Sequence, residues 1–148
     1  MIRKLSLNFC TSLGIGYLTK FPGTLASFII LFPLWFLLKL NILFLIFGLL
    51  FLITISFFTV SYVLKDIEDK DPSYIVIDEY IGQGIAILFC EQNIVEFVSA
   101  FFLFRFFDII KPFPINYFDK QNTSFGLLMD DITAGLIAGI ITYFFFKI

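Results

Sequence analysis

The sequence predicts an all-α protein, a polytopic membrane bundle of four to five apolar helices within a single domain spanning residues 1–148. Of its 148 residues, 59% are hydrophobic and only 15% are charged, and the mean hydropathy is +0.97. Soluble domains are about 45–50% apolar and about 25% charged. Lipid is therefore the expected solvent for most of the surface. No signal-peptide pattern precedes the first apolar run, so we expect the spans to remain in the mature protein.

Two long apolar runs come first. Leu25–Leu38 follows a Pro-Gly-Thr turn at residues 22–24, and Ile42–Leu64 contains 23 residues without a charge. At 1.5 Å per residue the second run reaches ~35 Å, enough to cross a ~30 Å hydrocarbon core. Only Lys39, Leu40 and Asn41 separate the runs, which predicts a tight helical hairpin.

Three shorter apolar runs follow, separated by polar stretches. After the polar residues Lys65–Glu79 come Ile81–Phe89 and Ile94–Phe104, which we interpret as an antiparallel pair that dips into or thinly crosses the bilayer. A second polar stretch, Arg105–Asp131, precedes the last predicted helix, Ile132–Phe146.

The charges segregate by membrane face. If Arg3, Lys4 and Lys20 hold the N-terminus in the cytoplasm, alternating spans place ten of the twelve acidic residues on the cytoplasmic side. The residues expected near the other face are Lys39, Glu91, Glu96 and Lys147. The polar loops are therefore predicted to meet on one side of the membrane.

Several kinds of phosphatase chemistry are excluded. The chain has no histidine, and neither Cys10 nor Cys90 is followed six positions later by arginine. Histidine-dependent lipid phosphatases and cysteine phosphatases are thereby ruled out, and both cysteines are expected to be buried apolar residues. The segment Asp69–Asp71 superficially resembles an aspartate-nucleophile motif, but no apolar strand precedes it. The 23 phenylalanines indicate biased composition, so single phenylalanines carry little functional weight.

Two acidic pairs open apolar helices. Asp78 and Glu79 precede one, and Asp130 and Asp131 precede another. Helix capping and the helix dipole explain one such pair, but two pairs on one membrane face would repel strongly unless a cation or a basic partner lay among them. Carboxylate oxygens suit Mg²⁺, Ca²⁺ or Mn²⁺, so these four acids are the predicted metal ligands.

Small residues indicate how the two pairs meet. On the last helix, Asp131, Gly135, Ala138 and Gly139 share one face, and small residues there allow a second helix to approach closely. We expect Gly82 and its neighbours to form that second surface. The two acidic pairs would then lie at the same depth.

Basic residues lie near the second polar stretch. Arg105, Asp108 and Lys111 are spaced three apart, so they should share a helical face, which Pro112 and Pro114 then terminate. Arginine binds phosphate oxygens in a bidentate way and lysine binds them as a point charge. Asp108 either orients Arg105 through an ion pair or serves as a metal ligand or general base.

Thr24 and Ser27 lie in the turn that opens the first long helix. Exposed amide groups at such a helix N-terminus form a natural phosphate cradle, although simple helix capping explains the same residues.

Together these segments resemble the phosphatidylglycerophosphatase A family over nearly the whole chain. The motifs are Pro22-Gly23-Thr24 with Ser27, Ile75-Val76 with Asp78-Glu79 and Gly82, Phe104-Arg105 with Asp108, Lys111-Pro112 with Pro114-Ile115 and Asp119, and Met129-Asp130-Asp131 with Ala134-Gly135. The chain departs from the family at Ala26 and Ser124, where glycine is usual.

The resemblance implies a Mg²⁺-dependent enzyme of the bacterial inner membrane that hydrolyses phosphatidylglycerophosphate to phosphatidylglycerol and phosphate. We expect a multi-pass protein with its active site facing the cytoplasm, a lipid substrate and no nucleic-acid partner; the oligomeric state is open. In our mechanistic hypothesis the four predicted ligands hold one or two Mg²⁺, and Arg105 and Lys111 clamp the phosphate. Asp108, Asp131 and Asp78 are the predicted catalytic residues. Water and a carboxylate are both compatible nucleophiles.

Two alternatives belong to other classes. In a cation transporter, acids would lie near mid-span on facing helices, and the two longest spans contain none. In a structural membrane subunit, neutralising Asp78 or Asp131 would be tolerated.

Overall fold

A computed structural model of the chain describes residues 1–65, 67 and 72–147, and within these residues it contains helices and no strands. The helices are α1 (Ile2–Cys10), α2 (Pro22–Leu40), α3 (Ile42–Leu64), α4 (Ile77–Ile87), α5 (Ile94–Ile110), α6 (Ile115–Asp119) and α7 (Ser124–Lys147), with a short 3₁₀ turn at Ile15–Tyr17. The all-α prediction is confirmed. The segment Asp69–Asp71 lies outside the described residues.

Within the part of the chain that the structure describes, three helices are long and apolar enough to cross a membrane. These are α2, α3 and α7, with 19, 23 and 24 residues and mean hydropathies of 1.9, 2.7 and 1.6. Helix α3 begins and ends where the sequence placed it. The Asn41 side chain accepts a hydrogen bond from the Leu43 N–H at 2.9 Å, which caps α3 immediately after α2 ends. The predicted hairpin is confirmed.

Helix α4 lies at the centre of the bundle. Its 11 residues span only ~16 Å, about half of a ~30 Å hydrocarbon core. Residues from Ile81 to Ile87 are all buried, and α2, α3, α5 and α7 contact the helix. Because protein rather than lipid surrounds it, such a short helix is tolerated at membrane depth.

The closest helix packing joins α4 to α7. A Cβ atom added to Gly135 would overlap the Gly82 carbonyl group, and one added to Gly82 would lie 2.7 Å from the Asp131 carbonyl oxygen. One turn further, a Cβ atom on Gly139 would lie 3.0 Å from the Ala86 carbonyl oxygen. The predicted small-residue contact is confirmed.

The start of the last helix differs from the prediction. Helix α7 begins at Ser124 rather than Ile132, and the Thr123 hydroxyl accepts a hydrogen bond at 3.0 Å from an amide of its first turn. Asp130 and Asp131 therefore lie in the second turn of the helix rather than at its entrance. Both side chains are buried against the rest of the bundle.

Two short helices, α1 and α6, were not predicted because neither contains a long apolar run. Helix α1 packs against α3, and the Cys10 carbonyl accepts a hydrogen bond from the Val76 N–H at 2.9 Å, just before α4. Cys10 and Cys90 are both buried and free, as expected. Burial raises the pKa of the Cys10 thiol to about 11.

The end of the bundle opposite the acidic pairs has its own charges. Lys147 at the end of α7 forms an ion pair with Glu91, and Glu96 accepts a hydrogen bond from the Glu91 N–H at 2.7 Å. These three residues were predicted to share that side, and the structure gathers them there.

Substituting Gly135 with alanine should destabilise the bundle, because the new methyl group overlaps the backbone of α4. Overpacking of this kind costs about 1–3 kcal/mol. Gly48→Ala in α3 is the matched control, since its Cβ atom would meet nothing within 4 Å. We expect a lower midpoint of thermal unfolding in detergent for Gly135→Ala and an unchanged or higher one for Gly48→Ala. Equal midpoints for the two variants would contradict this packing.

Candidate active site

Three carboxylates from three helices meet beside the α4–α7 contact. Glu79 comes from the first turn of α4, Asp108 from the last turn of α5, and Asp131 from the second turn of α7. One oxygen from each carboxylate lies within 4.8 Å of the other two. This is the reach of a single cation with oxygen ligands.

Arg105 neutralises part of this negative charge. Its guanidinium group forms ion pairs with Glu79 and, at 2.8 Å, with Asp108, three residues further along α5. All three side chains are largely buried, and the Arg105 Nε atom has no hydrogen-bond partner among the described residues. One guanidinium group therefore faces three clustered carboxyl groups, too little positive charge to balance all three in their ionised form.

Lys111 forms a second group of charges next to the first. Its ammonium group forms ion pairs with Asp130, at 2.7 Å, and with Asp119 of α6. The sequence placed Lys111 on the helical face of Arg105, but α5 ends at Ile110 and Lys111 has a left-handed backbone with φ of 48°. The chain leaves the helix at this residue, and the amine contacts α6 and α7 instead.

The first acid of each pair accepts a hydrogen bond from the next residue's amide. Asp78 accepts from the Glu79 N–H at 3.0 Å, and Asp130 accepts from the Asp131 N–H at 2.9 Å. Asp78, Asp130 and Asp131 are all buried. Each pair thus offers one carboxylate that is bonded to the local backbone and one that lies in the three-helix cluster.

A cavity of about 410 Å³ opens beside both groups of charges. The predicted site residues that line it are Thr24, Asp78, Glu79, Arg105, Asp108, Lys111, Asp130 and Asp131. Ser27 is fully buried, and its hydroxyl lies 3.4 Å from both Glu79 and Arg105. The structure therefore brings eight of the nine predicted residues to one cavity and places Ser27 in contact with two of them.

Further residues that the sequence did not predict as site residues also line the cavity, among them Gly23, Lys20 and Ser73. A Cβ atom on Gly23 would overlap the Glu79 carboxylate and lie 3.2 Å from Arg105, so glycine is required by a close approach. Lys20 and Ser73 also line the cavity, although Lys20 was used only to orient the chain in the membrane. Their isolated positions carried no local signal, because the turns before α2 and α4 place them.

The electrostatics favour a bound cation. Burial, followed by the nearby charge of Asp108, raises the pKa of Glu79 to about 8 against the opposing effect of Arg105. A divalent cation would stabilise the ionised carboxylates, and hard oxygen donors are the ligands that Mg²⁺ prefers. The donor set, and the clustering of three carboxylates from separate helices, thus fit a hard metal ion.

Fold and site together define a helical membrane protein that gathers carboxylates and cations beside one cavity. The chain belongs to the phosphatidylglycerophosphatase A family, whose family model matches residues 8–146. It is therefore a phosphatase by family, and the resemblance that the sequence motifs indicated is confirmed.

Curated relatives agree with this assignment. Phosphatidylglycerophosphatase A of Escherichia coli K12 is 34% identical over 138 residues, covering 88% of this chain and 77% of the relative. The protein of the same name from Haemophilus influenzae is 41% identical over 80 residues, covering 53% and 49%. A putative phosphatidylinositol-3-phosphatase of Bacteroides thetaiotaomicron is 33% identical over 138 residues, covering 88% and 87%. No solved structure matches the chain.

Metal binding by this cluster can be measured with Mn²⁺, a paramagnetic ion that also accepts oxygen ligands. Glu79 and Asp131 each contribute an oxygen to the cluster, so Glu79→Gln and Asp131→Asn should weaken Mn²⁺ binding. The expected loss of affinity is at least about tenfold, the scale seen in other proteins when the partners of metal ligands are removed. Electron paramagnetic resonance titration of the purified protein measures the affinity.

The control for this titration is Glu91→Gln, which removes a mostly exposed carboxylate at the opposite end of the bundle. Its affinity should equal that of the wild type. Unchanged affinity in Glu79→Gln and Asp131→Asn would show that Mn²⁺ binds elsewhere, and equal weakening by all three substitutions would show an unspecific effect of removing a carboxylate.

Proposed function

We propose that this protein hydrolyses phosphatidylglycerophosphate to phosphatidylglycerol and inorganic phosphate in a Mg²⁺-dependent reaction. The observation that carries the proposal is the convergence of Glu79, Asp108 and Asp131 beside Arg105 in one cavity. Family membership and the names of two relatives support the same lipid substrate. We further propose that the site faces the cytoplasm at the bacterial inner membrane.

Metal ligation would fall to the clustered acids. Glu79 and Asp131 are the predicted ligands in the three-carboxylate cluster, and its geometry adds Asp108 to the set. Asp78 and Asp130 line the same cavity, so a second ion or a water-mediated contact would have ligands available. When bound, Mg²⁺ supplies neutralisation of phosphate charge and a lowered pKa of water.

The cationic side chains would bind the phosphate. Arg105 presents a planar guanidinium that suits two phosphate oxygens at once. Lys111, which belongs to the second group of charges, adds a compact positive charge. Thr24, in the first turn of α2, adds a hydroxyl and the nearby helix N-terminus to the cavity wall. Ser27, at 3.4 Å from Arg105, would support phosphate binding by orienting that guanidinium.

Asp108 is the proposed residue that orients and deprotonates the attacking water. Its carboxylate accepts from Arg105 at 2.8 Å and lies in the cluster with Asp131. The guanidinium thus holds the Asp108 carboxylate next to the position where Arg105 would bind the phosphate. Asp78 and Asp131 are the other two proposed catalytic carboxylates. In the alternative form of this mechanism a carboxylate, rather than water, attacks the phosphorus atom in the first step.

Cation transport is not favoured by the arrangement of the acids. Glu79, Asp108 and Asp131 lie within two turns of their helix ends, and the spans α2 and α3 contain no acidic residue. A transport path would require acids deeper in facing spans. The observed cluster suits a headgroup reaction at the membrane surface, with the acyl chains left in lipid.

Phosphate release by the purified protein tests this function. We expect hydrolysis of phosphatidylglycerophosphate with Mg²⁺, none with EDTA, and a loss of about 10²-fold or more in Asp131→Asn, the scale seen when one transition-state-stabilising group is removed. Glu91→Gln should retain full activity. Hydrolysis that survives EDTA would refute the metal requirement.

Phosphatidylinositol 3-phosphate serves as the comparison substrate, because one relative bears the name of a putative phosphatase for it. A higher kcat/KM for this lipid than for phosphatidylglycerophosphate would reassign the substrate. The absence of hydrolysis of both lipids by folded protein would refute the phosphatase proposal.

Replacing Arg105 with lysine should lower kcat/KM by about 10–100-fold, because one ammonium group replaces neither the bidentate phosphate contact nor both ion pairs. Arg3→Lys is the matched control, since Arg3 is the chain's other arginine and its side chain is exposed on α1. Steady-state kinetics on both variants measure the difference. Equal kcat/KM values for the two variants would show that Arg105 does not contribute to phosphate binding.

A further inference from the structure

An apolar depression begins at the edge of the active-site cavity. Phe21 and Thr24 line that cavity and also border a second one of about 350 Å³, whose other walls include Leu25, Phe28 and Phe101. The charged cavity and the second cavity therefore adjoin at these two residues, and the lining of the second cavity is almost entirely apolar.

The depression continues along the seam between α2 and α5. Phe28 also borders a third cavity of about 460 Å³, formed by Phe32 and Trp35 of α2 with Phe97 and Val98 of α5. We call the second and third cavities together the α2–α5 groove. One of its ends is the charged cavity, and the other lies deep along a candidate span.

Aromatic side chains shape this groove. Phe28, Phe32 and Phe36 recur every four residues on one face of α2, and each exposes more than half of its surface. Across the seam, Phe28 contacts Phe101 edge-on with ring centroids 6.1 Å apart. Helices α2 and α5 thus form a surface that is apolar, rough and open toward lipid.

The groove has the length of one leaflet. Thr24 and Trp35 are eleven residues apart on α2, or roughly 16 Å along the helix axis. Half of a ~30 Å hydrocarbon core is ~15 Å. An acyl chain that enters the groove beside Thr24 would therefore reach about the middle of the bilayer at Trp35.

We propose that the α2–α5 groove binds one acyl chain of the phospholipid substrate while its phosphate lies in the charged cavity. The assignment rests on the proposed function for the headgroup and, for the tail, on the wall residues that the groove shares with the charged cavity. A phosphomonoester lipid joins a doubly charged headgroup to an apolar chain. The charged cavity and the adjoining apolar groove follow each other in the same order. The groove thereby aligns the substrate and selects for chain length.

The expected effect is on substrate positioning. Bulk lipid tails are as apolar as the groove, so binding there depends on shape and van der Waals contact rather than on the hydrophobic effect. Obstructing the groove should therefore raise KM for long-chain substrate and leave a substrate without long chains unaffected.

The structure provides a comparison groove. A cavity of about 350 Å³ between α5 and α7 is lined by Leu103, Ser99 and Thr142 among others. It shares Val98 with the α2–α5 groove, but among the described residues it shares no lining residue with the charged cavity. Leu31 in the α2–α5 groove and Leu103 in the comparison groove are both partly buried and pack against the core. Leu31→Trp and Leu103→Trp are thus matched variants.

The test measures hydrolysis of long-chain and water-soluble dihexanoyl phosphatidylglycerophosphate in mixed micelles. Leu31→Trp should raise KM for the long-chain lipid roughly tenfold, a discrimination typical of altered apolar pockets, and leave kcat/KM for the dihexanoyl lipid unchanged. Leu103→Trp should leave both unchanged. Unaltered dihexanoyl hydrolysis also shows that each variant is folded.

Two results would overturn the acyl-chain site. One is an equal KM change in the two variants with the long-chain lipid, which would show a general effect of bulk on the lipid-facing surface. The other is no KM change in Leu31→Trp. Failure of the wild type to hydrolyse either lipid would instead refute the proposed function.

Fluorescence gives a measurement that does not depend on turnover. Trp35 is the chain's only tryptophan and lines the α2–α5 groove, with its ring centroid 5.0 Å from that of Phe97. With EDTA present, phosphatidylglycerophosphate with brominated acyl chains should quench Trp35 more than brominated phosphatidylcholine at the same mole fraction. Equal quenching by the two lipids would show that the groove holds bulk lipid only.

Discussion

The site depends on the direct contact between the backbones of α4 and α7 at Gly82 and Gly135. Since neither residue has a side chain to separate the helices, the first turn of α4 and the second turn of α7 lie side by side. That distance sets how closely Glu79 approaches Asp131. In a bilayer, where apolar surface gains little by leaving lipid, such close van der Waals packing is a main source of helix association. The same contact therefore supports both the fold and the chemistry.

The packing works against electrostatic repulsion. Glu79, Asp108 and Asp131 come together in a largely buried place, and Arg105 offsets only part of their charge. Proteins retain such arrangements mainly where function needs them, because removing charge from a buried site often stabilises it. The five helices around the site, rather than attraction within it, hold these acids together.

Hydropathy found the long spans, because a lipid-facing helix such as α3 is apolar all round. The start of α7 was misplaced because Asp130 and Asp131 interrupt its apolar pattern, and the few apolar residues before them, including the buried Leu127 and Leu128, are too short a run to predict a helix. The acidic pairs were found because they interrupt apolar runs. Lys20 and Ser73 were missed, since only the path of the turns brings them to the cavity. Likewise, the phenylalanine stripe of α2 looked like compositional bias until its position between α2 and α5 was known.

The left-handed backbone at Lys111 has a consequence for evolution. A residue with a side chain at such a position costs about 1–2 kcal/mol relative to one in a right-handed helix, and glycine avoids that cost. Glycine there would remove that backbone cost, but it would also delete the ammonium group that contacts Asp119 and the buried Asp130. Because a buried carboxylate that loses its cation costs more than the strained backbone does, both stability and phosphate binding favour lysine over glycine at this corner of the chain.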